Sequence, residues 1–232
     1  MVESNPSNVV DLPGLRDRIA VFRERGHAGE ILARMLEQYG KGDSVVMAIP
    51  AGGVPVAKVI AERLGLPLDI TVVSKITLPW NTEAGYGAVA FDGTVRLNEE
   101  LVERTGLTDE EIKQGIEKTK SKVGRRVRNF RGDRDFPDLS TRQVILVDDG
   151  LASGFTMRVA VEALRKLRAS NIVVAVPTGH HYSVTKMAGE VEALYCANIR
   201  SGWSFAVADA YEEWTDVEEE EVAAILKPSI EA

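Results

Sequence analysis

Cysteine is nearly absent from this 232-residue chain: Cys196 stands alone, so no disulfide can form within the chain and no cysteine-based metal cluster can be built. In Ala193-Leu194-Tyr195-Cys196 it reads as the end of a buried strand rather than as a nucleophile. Long apolar runs are missing as well. No stretch approaches the ~18 residues a membrane span needs, and residues 1 to 13 lack the cationic cluster and apolar run of a leader. The expectation is a cytoplasmic protein without a membrane partner. Positive charge is in deficit, the formal balance being -7, which disfavours sequence-independent binding of nucleic acid. Neither an internal repeat nor a Ser/Gly/Pro-rich linker divides the sequence. With 44% hydrophobic and 27% charged residues, the chain is suited to burying a core, and the expectation is one domain over residues 1 to 232.

Periodicity then orders the elements. Leu15 to Tyr39 has helical spacing, with a break near Gly26 and Gly29 and a stop at Gly40. Ser44 to Ile49 is an apolar run ending in Pro50-Ala51-Gly52-Gly53, followed by a helical pattern from Val54 to Leu64 and a second strand from Leu68 to Val73. That is a βαβ unit. A mobile loop is expected over Ile76 to Gly87, then a hairpin of Ala88 to Phe91 and Thr94 to Leu97 turning at Asp92-Gly93. Thr108 and Glu111 are spaced as a capping box for a helix reaching about Arg131. Lys118, Lys120, Lys122, Arg125, Arg126, Arg128, Arg131 and Arg134 crowd this stretch. With Ile112, Ile116, Val123, Val127 and Phe130 forming the apolar stripe, they read as its wet side, a nucleic-acid surface being the lesser reading.

Strands at Gln143 to Val147, Asn171 to Val176 and Val191 to Cys196 alternate with helices at Phe155 to Arg168 and Ser183 to Gly189. Unbroken apolar strands of this kind are covered on both faces. The fold class is therefore α/β, a doubly wound and mainly parallel sheet flanked by helices.

The chemistry concentrates at Val144 to Thr156. Asp148 and Asp149 sit at the carboxyl end of a buried strand, the edge where open α/β sheets bind ligands. Gly150, Leu151, Ala152, Ser153, Gly154, Phe155 and Thr156 lead into a helix. Small residues and a helix N-terminus suit a phosphate, whereas the carboxylates suit hydroxyls or a divalent cation. A sugar phosphate satisfies both.

This stretch resembles the signature of the type I phosphoribosyltransferases. The similarity extends to Ile49-Pro50-Ala51-Gly52-Gly53-Val54-Pro55-Val56-Ala57, Val73-Ser74-Lys75-Ile76, Gly87-Ala88-Val89-Ala90 and Ala175-Val176-Pro177, and matches a subgroup whose acceptor is unassigned. The resemblance implies a core over about 40 to 200 with an inserted hairpin and helical segment. A small hood would come from the N-terminal helix and about 200 to 232. It implies a Mg²⁺-dependent enzyme working on phosphoribosyl diphosphate (PRPP) and a small-molecule acceptor, with a homodimer expected. Asp148 and Asp149 would hold the ribose hydroxyls directly or through Mg²⁺, and residues 150 to 156 would cradle the 5-phosphate. Ala51, Gly52 and Gly53 would form the diphosphate turn, and Lys75 would neutralise the leaving group.

Two departures from the family pattern shape the expectation. Ala51 replaces an arginine usual in the subgroup, so that diphosphate contact is absent or supplied elsewhere. Ala152 replaces the aspartate of the 6-oxopurine enzymes, which points to another acceptor. Candidates for the general base are Glu83, His180, His181 and Asp209, and Trp203, Phe205, Tyr211 and Trp214 are candidates to stack on a base. The alternative function is a non-catalytic protein that binds PRPP or a nucleotide.

Overall fold

The computed structural model describes residues 6–231, without the side chains of 82, 83 and 228–231. Six parallel strands form the main sheet in the order β1-β9-β8-β7-β2-β3. They are β1 (Val9–Asp11), β2 (Ser44–Ala48), β3 (Leu68–Ile70), β7 (Gln143–Val147), β8 (Asn171–His180) and β9 (Ala193–Arg200). The interior strands β2 and β7 are apolar and almost wholly buried, because helices cover both faces. On one face lie α1 (Arg25–Met35) and α2 (Gly53–Leu64), with Leu32, Val56 and Ile60 in the core. On the other lie α5 (Phe155–Lys166) and α6 (His181–Ala188), burying Met157, Leu164, Val184 and Met187. Cys196 packs there as a small hydrophobe, and burial pushes its thiol pKa up.

A second, antiparallel sheet has the order β4-β5-β6, from β4 (Val73–Leu78), β5 (Asn81–Ala90) and β6 (Val95–Leu97). The anticipated hairpin is β5–β6, with Val89 opposite Val95 across the Asp92-Gly93 turn. The run Leu68 to Val73 does not hold as one strand: β3 ends at Ile70, and Val73 opens β4 in the second sheet. The segment Ile76 to Gly87 is likewise no loop. It belongs to the β4–β5 hairpin, whose register shifts at Thr77 obscure the alternation in the sequence. Two helices follow, α3 (Glu99–Thr105) and α4 (Asp109–Arg131). The capping box forms as expected, the Glu111 N–H donating to Thr108 Oγ1 and the Thr108 N–H to Glu111 Oε2.

The N-terminal helix begins at Arg25 rather than Leu15. Residues 20–22 instead donate backbone bonds to Asp209 and Ala210, while Phe22 and Arg23 carbonyls accept from Glu212 and Glu213. Tertiary pairing overrides the helical spacing here. The last helix, α7 (Glu219–Glu231), buries Val222 and Leu226 and packs against α2, α4 and β3. Among the described residues no helix is long and apolar enough to cross a membrane.

Candidate functional site

At the carboxyl edge of the main sheet, β2, β7 and β8 each run into a helix: α2, α5 and α6. None of the three carries a side-chain cap. By contrast α1, α3 and α4 are capped by Glu24, Asn98 and Thr108. The positive dipole ends of three helices therefore gather at one edge, although in α2 the Gly53 and Val54 N–H groups already donate to the Ile49 and Ala51 carbonyls, and in α5 the Phe155 N–H donates to Ser153 Oγ. Into this edge β7 delivers Asp148 and Asp149.

The acidic pair is partly covered. Burial, reinforced for Asp148 by its neighbour's charge, raises both carboxyls above the usual carboxylate range, even though Arg25 and Lys75 pull the other way. The Asp149 N–H donates to Asp148 Oδ1 at 2.9 Å. Arg25, the first residue of α1, donates from Nε to Asp149 Oδ2 at 2.9 Å and from a terminal nitrogen to the Thr215 carbonyl at 2.8 Å. Its guanidinium lies 3.9 Å from the Trp214 ring centroid. The Tyr211 hydroxyl donates to the Asp149 carbonyl at 2.7 Å. The pairing of residues 20–23 with 209–213 is what brings Arg25, Tyr211 and Trp214 over the acidic pair. Tyr211 and Trp214 were singled out in the sequence as aromatics of this region. Arg25 was not, because no local pattern marks it.

The loop after the pair is shaped by backbone. A Cβ on Gly150 would come within 2.5 Å of Val207, and Gly154 adopts φ 72°, open to glycine without strain. Leu151 anchors the loop: its N–H donates to the Thr178 carbonyl, and its own carbonyl accepts from His180. Ser183 Oγ donates to the Ala152 carbonyl. The remaining N–H groups of α5's first turn have no intrahelical acceptor. A cavity of about 150 Å³ is lined by Lys75, Asp148, Asp149, residues 150–157 and Val207. Lys75, exposed on β4, is thus brought to the same hollow as the acidic pair. Gly52 and Gly53 flank the pair. A Cβ on Gly52 would stand 1.9 Å from Asp149 Oδ2, and one on Gly53 2.7 Å from the Val147 carbonyl. The Pro50-Ala51 peptide between β2 and α2 is cis.

The candidate bases divide. Asp209 is held by Arg200 at 3.0 Å, and that bond keeps its carboxyl below the usual range, which unsuits it as a proton acceptor near neutral pH. His180 ends β8 with its ring edge-on to Phe205, 5.7 Å between centroids. His181 opens α6. The Glu83 side chain lies outside the described residues.

Comparison with known proteins shows the family. Residues 23–210 match the family model described as "Phosphoribosyl transferase domain". The chain belongs to that family. Two relatives from Mycobacterium tuberculosis, strains CDC 1551 / Oshkosh and H37Rv, carry the name "Putative phosphoribosyl transferase". Each is 36% identical over 206 residues, covering 89% of this chain and 46% of the relative. The chain therefore spans about half the length of these curated relatives. The crystal structure of TT1426 from Thermus thermophilus is 30% identical, with a TM-score of 0.71 over 90% of this chain and 98% of that one. The phosphoribosyl transferase match covers both the βαβ unit at Gly52 and the acidic strand end, so the family resemblance noted at those motifs extends over every strand of the main sheet but β1.

Proposed function

We propose that the protein is a Mg²⁺-dependent phosphoribosyltransferase that displaces diphosphate from PRPP with a nitrogen nucleophile other than a 6-oxopurine. One observation carries the reading: an acidic pair at a strand end, flanked by uncapped helix N-termini, with a lysine lining the same cavity. In this reading Asp148 and Asp149 bind the ribose hydroxyls, and the N–H groups from residue 152 into the first turn of α5, apart from that of Phe155, which donates to Ser153 Oγ, hold the 5-phosphate. The Ala51-Gly52-Gly53 turn receives the diphosphate. As the bond between the anomeric carbon and the diphosphate oxygen breaks, positive charge grows on the sugar beside the carboxylates, and negative charge grows on the leaving group beside Lys75. The acceptor nitrogen forms the new bond and loses its proton, with His180, whose backbone N–H donates to the Leu151 carbonyl of the loop, a candidate to take it.

The donor set fits magnesium. The ion prefers oxygen and takes one or two carboxylates, completing its shell with water and phosphate oxygens. Asp148 and Asp149 offer that, and among the described residues no group of three or more His, Cys, Asp or Glu side chains forms a cage. When bound, the ion supplies neutralisation of the departing diphosphate.

A second reading, a non-catalytic sensor of PRPP or a nucleotide, is favoured by Ala51, which places a methyl group in the diphosphate turn where a cation would act. Incubation with PRPP, Mg²⁺ and a panel of purines, pyrimidines and other amines, following diphosphate release, separates the two. Turnover that is lost in Asp148→Asn/Asp149→Asn supports the transferase. Tight PRPP binding with no release across the panel makes the protein a sensor.

A further inference from the structure

The basic face of α4 is the wall of a hollow. A cleft of about 890 Å³ opens between the β4–β5 hairpin and α4, within the size range of small-molecule sites. Lys118, Lys122 and Arg125 line it from α4, at spacings of four and three residues that bring them to one face. Lys75 lines it from β4 and lines the transfer cavity too, so the two hollows meet at one side chain.

The charges in the cleft are poorly compensated. Among the described residues Lys118 and Lys122 have no carboxylate within ion-pair distance. Arg125 reaches Glu219 at 3.6 Å, but Arg126 holds that carboxylate more closely, at 2.7 Å. Glu111, the carboxylate lining the cleft, already accepts from the Thr108 N–H and hydroxyl. Burial and the surrounding cations hold the Lys122 ammonium below its usual range. Behind the cations sits Tyr86, wholly buried, its hydroxyl without a hydrogen-bond partner, an arrangement that costs free energy unless a partner arrives. Leu78 and Pro79 add an apolar patch.

We propose that this cleft binds a small molecule bearing two or more linked phosphates, its charge spread along Lys75, Lys118, Lys122 and Arg125. From residue 118 to 125 the helix rises about 10 Å, so a single phosphate engages only part of the row, whereas a chain of phosphates follows it. The concave walls suit a small ligand better than a duplex, which needs an extended surface. Because Lys75 serves both hollows, the occupant draws on the cation that faces the leaving diphosphate. This coupling rests on the transferase reading. The binding itself does not.

Calorimetric titration of the full chain at about 0.15 M salt, with sodium tripolyphosphate and separately with ATP, tests the site. One-to-one binding is expected, weakened at least tenfold in Lys118→Gln/Lys122→Gln, weakened independently in Arg125→Gln, and retained in Asp148→Asn/Asp149→Asn. ATP binding tighter than tripolyphosphate supports a nucleotide occupant, its base on the Leu78–Pro79 patch, while equal affinity supports recognition of phosphates alone. Tripolyphosphate should raise KM for PRPP at unchanged kcat, and Lys118→Gln/Lys122→Gln should abolish that rise while leaving basal transfer intact. Absence of binding by both probes overturns the proposal. So does binding insensitive to the lysine substitutions, or lost equally in the aspartate variant, since the anion then sits in the transfer cavity. Lysine-dependent binding in a protein that transfers to no acceptor would sink the transferase and leave the cleft standing.

Discussion

Asp148 and Asp149 lie side by side under partial cover, and burial raises both carboxyls. For Asp148 the raised value means that its charged form is less stable in the folded protein than in the unfolded chain. Stability is therefore lost as pH rises from the ordinary carboxylate range, about 4, through the raised value. Asp148→Asn removes this cost while keeping an oxygen to accept from the Asp149 N–H. The variant is expected to melt above the wild type at neutral pH, each 1 kcal/mol appearing as about 2–4 °C, with the gap closing on acidification. Melting curves across a pH series check this, and a gap that widens in acid would contradict a buried charge. Arg25 acts in the opposite sense. Its removal leaves Asp149 beneath Trp214 and Tyr211 without its ion-pair partner, so Arg25→Ala should cost about 3 kcal/mol. Arg25→Ala/Asp149→Asn should regain part of that, and urea denaturation of the four proteins in the cycle measures the coupling.

At the scale of elements, helix ends divide by task. Where α4 meets solvent, Thr108 and Glu111 satisfy its first turn. Where α5 meets the cavity, Gly154 offers no side chain, and beyond the Phe155 N–H, which donates to Ser153 Oγ, the first-turn N–H groups have no acceptor within the helix. Thr108→Ala should cost about 1 kcal/mol and leave PRPP affinity unchanged. Gly154→Ala should cost a similar amount, about 1–2 kcal/mol, because of its φ of 72°, yet also weaken PRPP binding. No neighbour lies closer than 3.7 Å to the added methyl, so the stability loss reports backbone strain and the affinity loss reports the turn's geometry. Paired melts and PRPP titrations distinguish the two. Equal affinity in both variants would remove the α5 turn from the ligand site.

For the molecule as a whole, the features readable from sequence are those whose partners lie close along the chain. β7, α5, the capping box of α4 and the Asp92-Gly93 hairpin announce themselves by period and punctuation within a dozen residues. Asp148, Asp149 and the loop after them were readable for the same reason, closing a strand and opening a helix, whereas Lys75 stood out by its motif although it lies inside β4 rather than at a strand end. What escaped depends on distant partners. β1 is three residues long and exists through its pairing with β9. The start of α1 is set by pairing with residues about 190 positions away, and Arg25 reaches the site only because of that pairing. The division of Leu68 to Val73 between two sheets was equally hidden, since an unbroken apolar run does not say where a chain changes layer. The junction between the layers, apolar for the most part, includes one buried ion pair. Arg131, in the last turn of α4, donates to both oxygens of Asp69 in β3 at 2.7 and 2.8 Å, both side chains being nearly buried, and its guanidinium lies 4.5 Å from the Phe136 ring centroid. Loss of one partner leaves an unpaired charge in a dry place. Arg131→Ala should therefore cost about 3–5 kcal/mol, whereas Arg131→Met/Asp69→Leu, which removes both charges and keeps the volume, should recover most of it. Because this contact joins α4 to the main sheet, the loss in Arg131→Ala should be uneven. Amide exchange should quicken in α4, β4 and β5 before it changes in β7 and β8, as expected of a unit that opens separately. Uniform quickening across both sheets would show instead that the two layers unfold as one.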